Sequence, residues 1–174
     1  MTSRPGLRLA HDHAALDELL KQLQQAVAAG DLDRSFAKLD LFWARLAVHI
    51  RAEHHHLFPA VLNRLRENTD QTLKPSLSEA EATVDRLRAD HDYFMHELPQ
   101  AIRLLLAGNF KAVQDGINEI EKRLVAHNEI EEAEIYNWAT ALFNEQQQMQ
   151  LCALINEDLA SHPPRFAPSE WLNE

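Results

Sequence analysis

Two short strings in this 174-residue chain combine side chains that bind transition metals. His49-Ile50-Arg51-Ala52-Glu53 sets an imidazole and a carboxylate four residues apart, and His127-Asn128-Glu129-Ile130-Glu131 does the same. On a helix that spacing puts both groups on one face. His13 and His91 each add an imidazole. Imidazole and carboxylate donors suit iron, manganese and zinc, and the set holds no thiolate to favour copper(I). Two bidentate glutamates can each bridge two metals. Each metal would then hold two histidines and two carboxylate oxygens, with a shared oxo or hydroxo group and open positions. Without metal, two neighbouring buried carboxylates would repel and be driven toward protonation.

These residues recur at a fixed offset. His13 and His91 lie 78 residues apart (91 − 13), as do His49 and His127, and Glu53 and Glu131. Gly30/Gly108, Asp12/Asp90, Phe58/Tyr136, Leu9/Leu87, Ala29/Ala107, Leu46/Leu124 and Leu57/Ile135 keep the same spacing. Shared helical patterning accounts for recurring leucines. It does not account for recurring histidines and glutamates, which an apolar core excludes.

The elements that must carry them are helical. Leu9, Leu16, Leu19, Leu20, Leu23 and Val27 recur at three- and four-residue steps, which predicts a helix from Leu7 to Ala29. Gly30 ends it and Asp31 caps a second, from Leu32 to Arg66, kinked at Pro59. Asn68 to Pro75 reads as a polar loop. Ser78-Glu79-Ala80-Glu81 matches a capping box, so a third helix is expected from there to Ala107, disturbed at Pro99. Gly108-Asn109 repeats the stop-and-cap signal before a fourth helix, Phe110 to Phe143. A fifth, Glu145 to Ala160, carries Met149, Leu151, Leu154, Ile155 and Leu159. The tail from Ser161 to Glu174 contains three prolines and is expected to be irregular, anchored by Phe166 and Trp171.

Two hairpins, neither able to bury its apolar stripe alone, predict an all-α, up-down four-helix bundle over 1–143. Residues 144–174 would pack on the bundle or on a partner subunit, which makes a homodimer the alternative. The heights agree. His13 precedes Gly30 by 17 residues and His49 follows it by 19, about 26 and about 29 Å from the turn. His91 and His127 stand likewise to Gly108. Four histidines and two glutamates can therefore share one layer.

The remaining candidates are weaker. His11 has Ala89 as its repeat partner, and His96 lies off the layer. His54 and His55 fall on other helix faces and are expected to be solvated. His56 and its repeat partner Glu134 are candidates for the edge of the same cavity.

Composition narrows the class. A formal net charge of −10 opposes binding to nucleic acid or an anionic membrane. One cysteine, Cys152, forms no internal disulfide, and four glycines leave no glycine-rich phosphate loop. There is no targeting segment and no run of about 18 apolar residues, so a cytoplasmic protein is the expectation. No Ser-His-Asp or Cys-His nucleophile set is apparent. A ferritin-like site needs Glu-x-x-His on two helices. Glu53-x-x-His56 fits, but the second helix has Glu131-x-x-Glu134.

The strings His49-x-x-x-Glu53-His54-x-x-Leu57-Phe58-Pro59 and His127-x-x-x-Glu131-Glu132-x-x-Ile135-Tyr136 resemble the helix motifs of the hemerythrin-like HHE cation-binding family. Asp12-His13 and Asp90-His91 resemble its first- and third-helix histidines. The resemblance runs from Leu7 to Phe143 and implies two iron ions in a non-haem di-iron centre. His13 and His49 would bind one iron, His91 and His127 the other, and Glu53 and Glu131 would bridge. Zinc and manganese are the alternatives. The implied role is binding or sensing of dioxygen, nitric oxide, peroxide or iron, with a di-iron oxidoreductase as the alternative. Dioxygen-carrying hemerythrins have a further histidine where this chain has Met95, and one iron closed by three histidines. The four-histidine, two-glutamate set is similar to that of di-iron proteins linked to iron–sulfur cluster repair under nitrosative or oxidative stress. Those carry an extra cysteine-containing N-terminal segment.

The repeat yields a test that separates neighbours. His11→Ala should keep its full metal content by elemental analysis, and His13→Ala should lose metal. The reverse result would reassign the first helix.

Overall fold

In the computed structural model, residues 4–67 and 75–161 are described, and they form an all-α bundle. Helix α1 spans Pro5–Ala28 and α2 spans Leu32–Ala52. A π-helical turn, Glu53–Leu57, leads into α3, Phe58–Glu67. Helix α4 spans Leu77–Leu106 and α5 spans Phe110–Ile130. A second π-helical turn, Glu131–Ile135, leads into α6, Tyr136–Leu142, and α7 follows at Glu145–Ala160. Helix α1 packs on α2, α2 on α4, α4 on α5, and α5 back on α1, closing a ring around one interior.

Each hairpin turn is built twice from the same parts. Gly30 and Gly108 adopt left-handed φ values of 67° and 70°, which residues with a Cβ rarely take. The amide of Asp31 then reaches Ala26 O at 3.2 Å, and that of Asn109 reaches Leu104 O at 2.9 Å. Asp31 accepts from the Arg34 amide and Asn109 from the Ala112 amide, so each turn also caps the next helix. Equal turns joining helices of matched length bring the chemistry-bearing residues level.

Two apolar clusters lie on either side of that level. One, toward the hairpin turns, contains Leu16, Leu23, Phe42, Phe94, Ile102 and Ile117. The other contains Leu9, Leu57, Phe58, Leu87, Ile135 and Tyr136. Helix α7 closes this second cluster with Leu151, Ile155 and Leu159, while Met149 and Leu154 of the same helix stay exposed.

Three local expectations need correction. The second and fourth helices are not continuous: each is interrupted by a π-turn beginning at its glutamate. Pro59 is not the cause, because its repeat equivalent is Asn137 and the same turn forms there. What the two turns share is a fully buried glutamate followed five residues later by a buried ring, Phe58 or Tyr136. The amide of each ring residue bonds back to the glutamate carbonyl, and the wider turn brings both side chains inward. Second, the capping box of α4 uses Ser76 and Glu79, not Ser78 and Glu81. The Ser76 amide donates to Glu79 Oε2 at 2.8 Å, which leaves Ser78 inside the first turn. Third, α4 runs through Pro99 unbroken, held by the buried Leu98, Ala101 and Ile102. The polar loop at 68–74 and the tail with Phe166 and Trp171 lie outside the described residues.

Candidate metal centre

Eight polar residues are buried in the layer between the apolar clusters: Asp12, His13, His49, Glu53, Asp90, His91, His127 and Glu131. All six residues singled out by the repeat are among them. Glu53 and Glu131 are 0% exposed, a placement that free carboxylates do not tolerate without compensation.

The inner atoms form two sets. His13 Nε2 and His49 Nε2 stand 3.2 Å apart, and His91 Nε2 and His127 Nε2 stand 3.0 Å apart. Each glutamate reaches both pairs. Glu53 Oε1 lies 3.3 Å from His49 Nε2, and its Oε2 lies 3.4 Å from His91 Nε2. Glu131 Oε1 lies 3.0 Å from His127 Nε2, and its Oε2 lies 3.2 Å from His13 Nε2. Thus each carboxylate touches the histidine one turn before it and the first histidine of the other hairpin. His13, His49, Glu53 and Glu131 place one donor atom each within 4.8 Å of one another, and so do Glu53, His91, His127 and Glu131.

The outer nitrogens of the four rings are held as well. His49 Nδ1 meets Asp12 Oδ2 at 3.0 Å, and His127 Nδ1 meets Asp90 Oδ2 at 3.3 Å. Arg45 and Arg123 in turn bind Asp12 and Asp90. His13 Nδ1 meets Glu132 Oε1 at 3.0 Å. His91 Nδ1 meets His54 Nε2 at 2.8 Å. A Nδ1–H donated outward leaves the Nε2 lone pair pointing inward, the tautomer of a metal-ligating histidine. With all four rings in that tautomer the lone pairs would face each other, and among the described residues Glu53 Oε2 and Glu131 Oε1 have no hydrogen-bond partner. This donor set could hold metal ions.

Tyr136 completes the layer from one side. Its hydroxyl lies 3.1 Å from His13 Nε2, 3.2 Å from Glu53 Oε1 and 3.3 Å from Glu131 Oε2. Burial, then the two carboxylates, hold the phenol well above its usual range, so it stays a donor. Gly6 makes room for it: a Cβ there would come 2.4 Å from Tyr136 Cβ. At the equivalent place in the other half, the Phe58 ring stacks on His91 at 6.1 Å. A cavity of about 270 Å³ on the outer side of His13 is lined by Asp17, Asn128, Glu129 and Glu132 among others.

The weaker sequence candidates separate. His11 and His55 are exposed, and the exposed His96 pairs with Glu97. His56 does not line the cavity; it lies 3.1 Å from Asp158 of α7. Glu134 accepts from Thr83 Oγ1 at 2.7 Å, also away from the centre. His54 is not solvated as expected but supports His91. The 78-residue offset held the missed signals: Asp12/Asp90, Arg45/Arg123 and His54/Glu132 (132 − 54) all obey it.

Charges inside the layer make its metal-free form sensitive to pH. Burial depresses the His49 value, but Glu53 and the Asp12 hydrogen bond outweigh it and lift it from 6.5 to about 10. His127 is also raised, burial again being overcome by Glu131. Burial and the neighbouring His127 hold His91 well below the usual histidine range. Burial and Glu131 raise Glu53, whereas His127 and His13 overcome burial to pull Glu131 well down. The raised histidines stabilise the fold fully below pH 6.5, and that contribution is lost as pH rises toward about 10. His91 acts oppositely, since below pH 6.5 the unfolded chain takes up a proton that the folded chain refuses. The raised Glu53 acts with the raised histidines and offsets His91 in acid, so the chelated protein should melt lower at about pH 9 than near neutrality. Melting temperatures that rise steadily from neutral to about pH 9 would contradict these assignments.

Comparison with known protein families matches the Hemerythrin HHE cation binding domain over residues 7–139. No curated protein and no solved structure matches the chain. The matched span contains both hairpins and every residue of the buried polar layer. The chain therefore belongs to the hemerythrin HHE cation-binding domain family.

Proposed function

We propose that His13, His49, Glu53, His91, His127 and Glu131 hold a dinuclear non-haem iron centre that binds or senses a small oxidising ligand: dioxygen, nitric oxide or peroxide. The observation that carries this reading is the sharing of Glu53 and Glu131 between two histidine pairs. His13 and His49 would hold one iron, and His91 and His127 the other. Four protein donors per metal leave positions open on iron, which commonly takes six. When bound, the irons would supply a redox-active Lewis acid able to take up such a ligand.

The protein's own part is to hold, orient and enclose. Asp12, Glu132, His54 and Asp90 fix the four imidazole rings through their Nδ1 atoms. Phe58 and Phe94 pack against His91 and His127 and limit access of water from that side. The Tyr136 hydroxyl keeps a proton within hydrogen-bond distance of His13 Nε2 and both carboxylates. That proton favours a second reading, an oxidoreductase that consumes peroxide or nitric oxide at the same centre.

Protein purified in air should contain about two irons per chain and show charge-transfer absorption in the near-ultraviolet and visible. Glu53→Ala and Glu131→Ala should each lower the iron content toward one or less, because each removes a donor from both sets. Chelation should lower the melting temperature, since metal at 100 times its dissociation constant adds about 2.7 kcal/mol to folding. One zinc per chain, or no metal, would refute the reading.

A further inference from the structure

The repeat relates the two halves of the layer without making them equal. Glu132 and His54 occupy the same repeat position, each directly after a buried glutamate, and each supports the first histidine of the other hairpin. In one half the support is a carboxylate at 3.0 Å from His13 Nδ1. In the other it is an imidazole at 2.8 Å from His91 Nδ1. The remaining supports match: His49 and His127 each have an aspartate braced by an arginine. Even there the first half is the tighter, because Asp12 is 1% exposed and Asp90 8%. The Arg45 that braces Asp12 also donates to Leu159 O at 2.8 Å, locking it to α7.

A carboxylate that accepts from Nδ1–H raises the basicity of Nε2, the atom offered to a metal, and a neutral imidazole does so far less. Glu132 is 49% exposed, so solvent screens its charge, and its effect passes through the hydrogen bond. The Tyr136 hydroxyl works against this by drawing density from carboxylate oxygens in the His13 half. It is a neutral donor, however, and counts for less than a charge-assisted bond. The cavity on the outer side of His13 also gives this half the nearer approach from solvent.

We propose that the His13–His49 half is the high-affinity position and fills first, and that Glu132 opposite His54 sets the order. The proposal rests on the dinuclear reading. Its test uses the full chain stripped by chelator and titrated with zinc against a competing chromophoric chelator. Two binding steps separated by about 10- to 100-fold are expected. Glu132→Gln should weaken the first step, and His54→Glu should tighten the second, each narrowing the gap. Both positions are partly exposed, so these variants should fold. In crystals grown with one equivalent of zinc, anomalous density should lie between His13 and His49, and in the exchanged variant E132H/H54E between His91 and His127. Two ions bound in equal steps, or first density between His91 and His127 in the unaltered chain, would overturn the order and leave the dinuclear reading standing. Fewer than two zinc ions bound would overturn both.

Discussion

Two glutamates with no exposed surface sit in the middle of this bundle, facing four imidazole nitrogens. Removing carboxylates from water costs several kcal/mol each unless something compensates. In the metal-free layer the Tyr136 hydroxyl donates to both carboxylates, burial and Glu131 raise the Glu53 value, and, against burial, Glu53 and Asp12 lift His49 to about 10. Cations would do the same job, taking the Nε2 lone pairs in place of the histidine protons. The rest of the structure follows from having to tolerate this layer. Apolar clusters above and below it provide the burial that a polar mid-section lacks. A second ring of hydrogen bonds holds every imidazole by its outer nitrogen.

Duplication is the means by which the layer is assembled. One hairpin offers two histidines and one glutamate, which is half a site. Two hairpins, each closed by an equivalent glycine turn, bring the halves to one height, and each glutamate then reaches across to the other hairpin. The π-turns belong to the same plan. They allow a buried carboxylate and, five residues on, a buried ring to point into one interior, which a regular helix would set on diverging faces. Duplication also explains the asymmetry: once the halves are separate in sequence, Phe58 can face Tyr136 and His54 can face Glu132.

Much of this was legible in the sequence, for a physical reason. A core rejects polar residues, so histidines and glutamates recurring at 78 residues signal selection for their chemistry. That identified all six inner residues, and Gly30 and Gly108 supplied their heights. Hydrogen-bond register was not legible. Apolar period does not distinguish an α-turn from a π-turn, so the wheel that sent His54 to solvent fails at Glu53. Ser76 and Ser78 both satisfy the capping pattern, and only the structure shows which amide is capped. The role of Asp12 and Asp90 was visible as an offset but not as a function, because an aspartate beside a histidine is equally at home on a surface.

The central claim is that one layer holds two metals in sets that share both glutamates. The most direct measurement is diffraction from crystals of the iron-loaded full chain at wavelengths on either side of the iron absorption edge. The account predicts two anomalous peaks per chain, one between His13 and His49 and one between His91 and His127, with Glu53 and Glu131 each contacting both. A single peak, or peaks elsewhere with the buried layer free of metal, would contradict it.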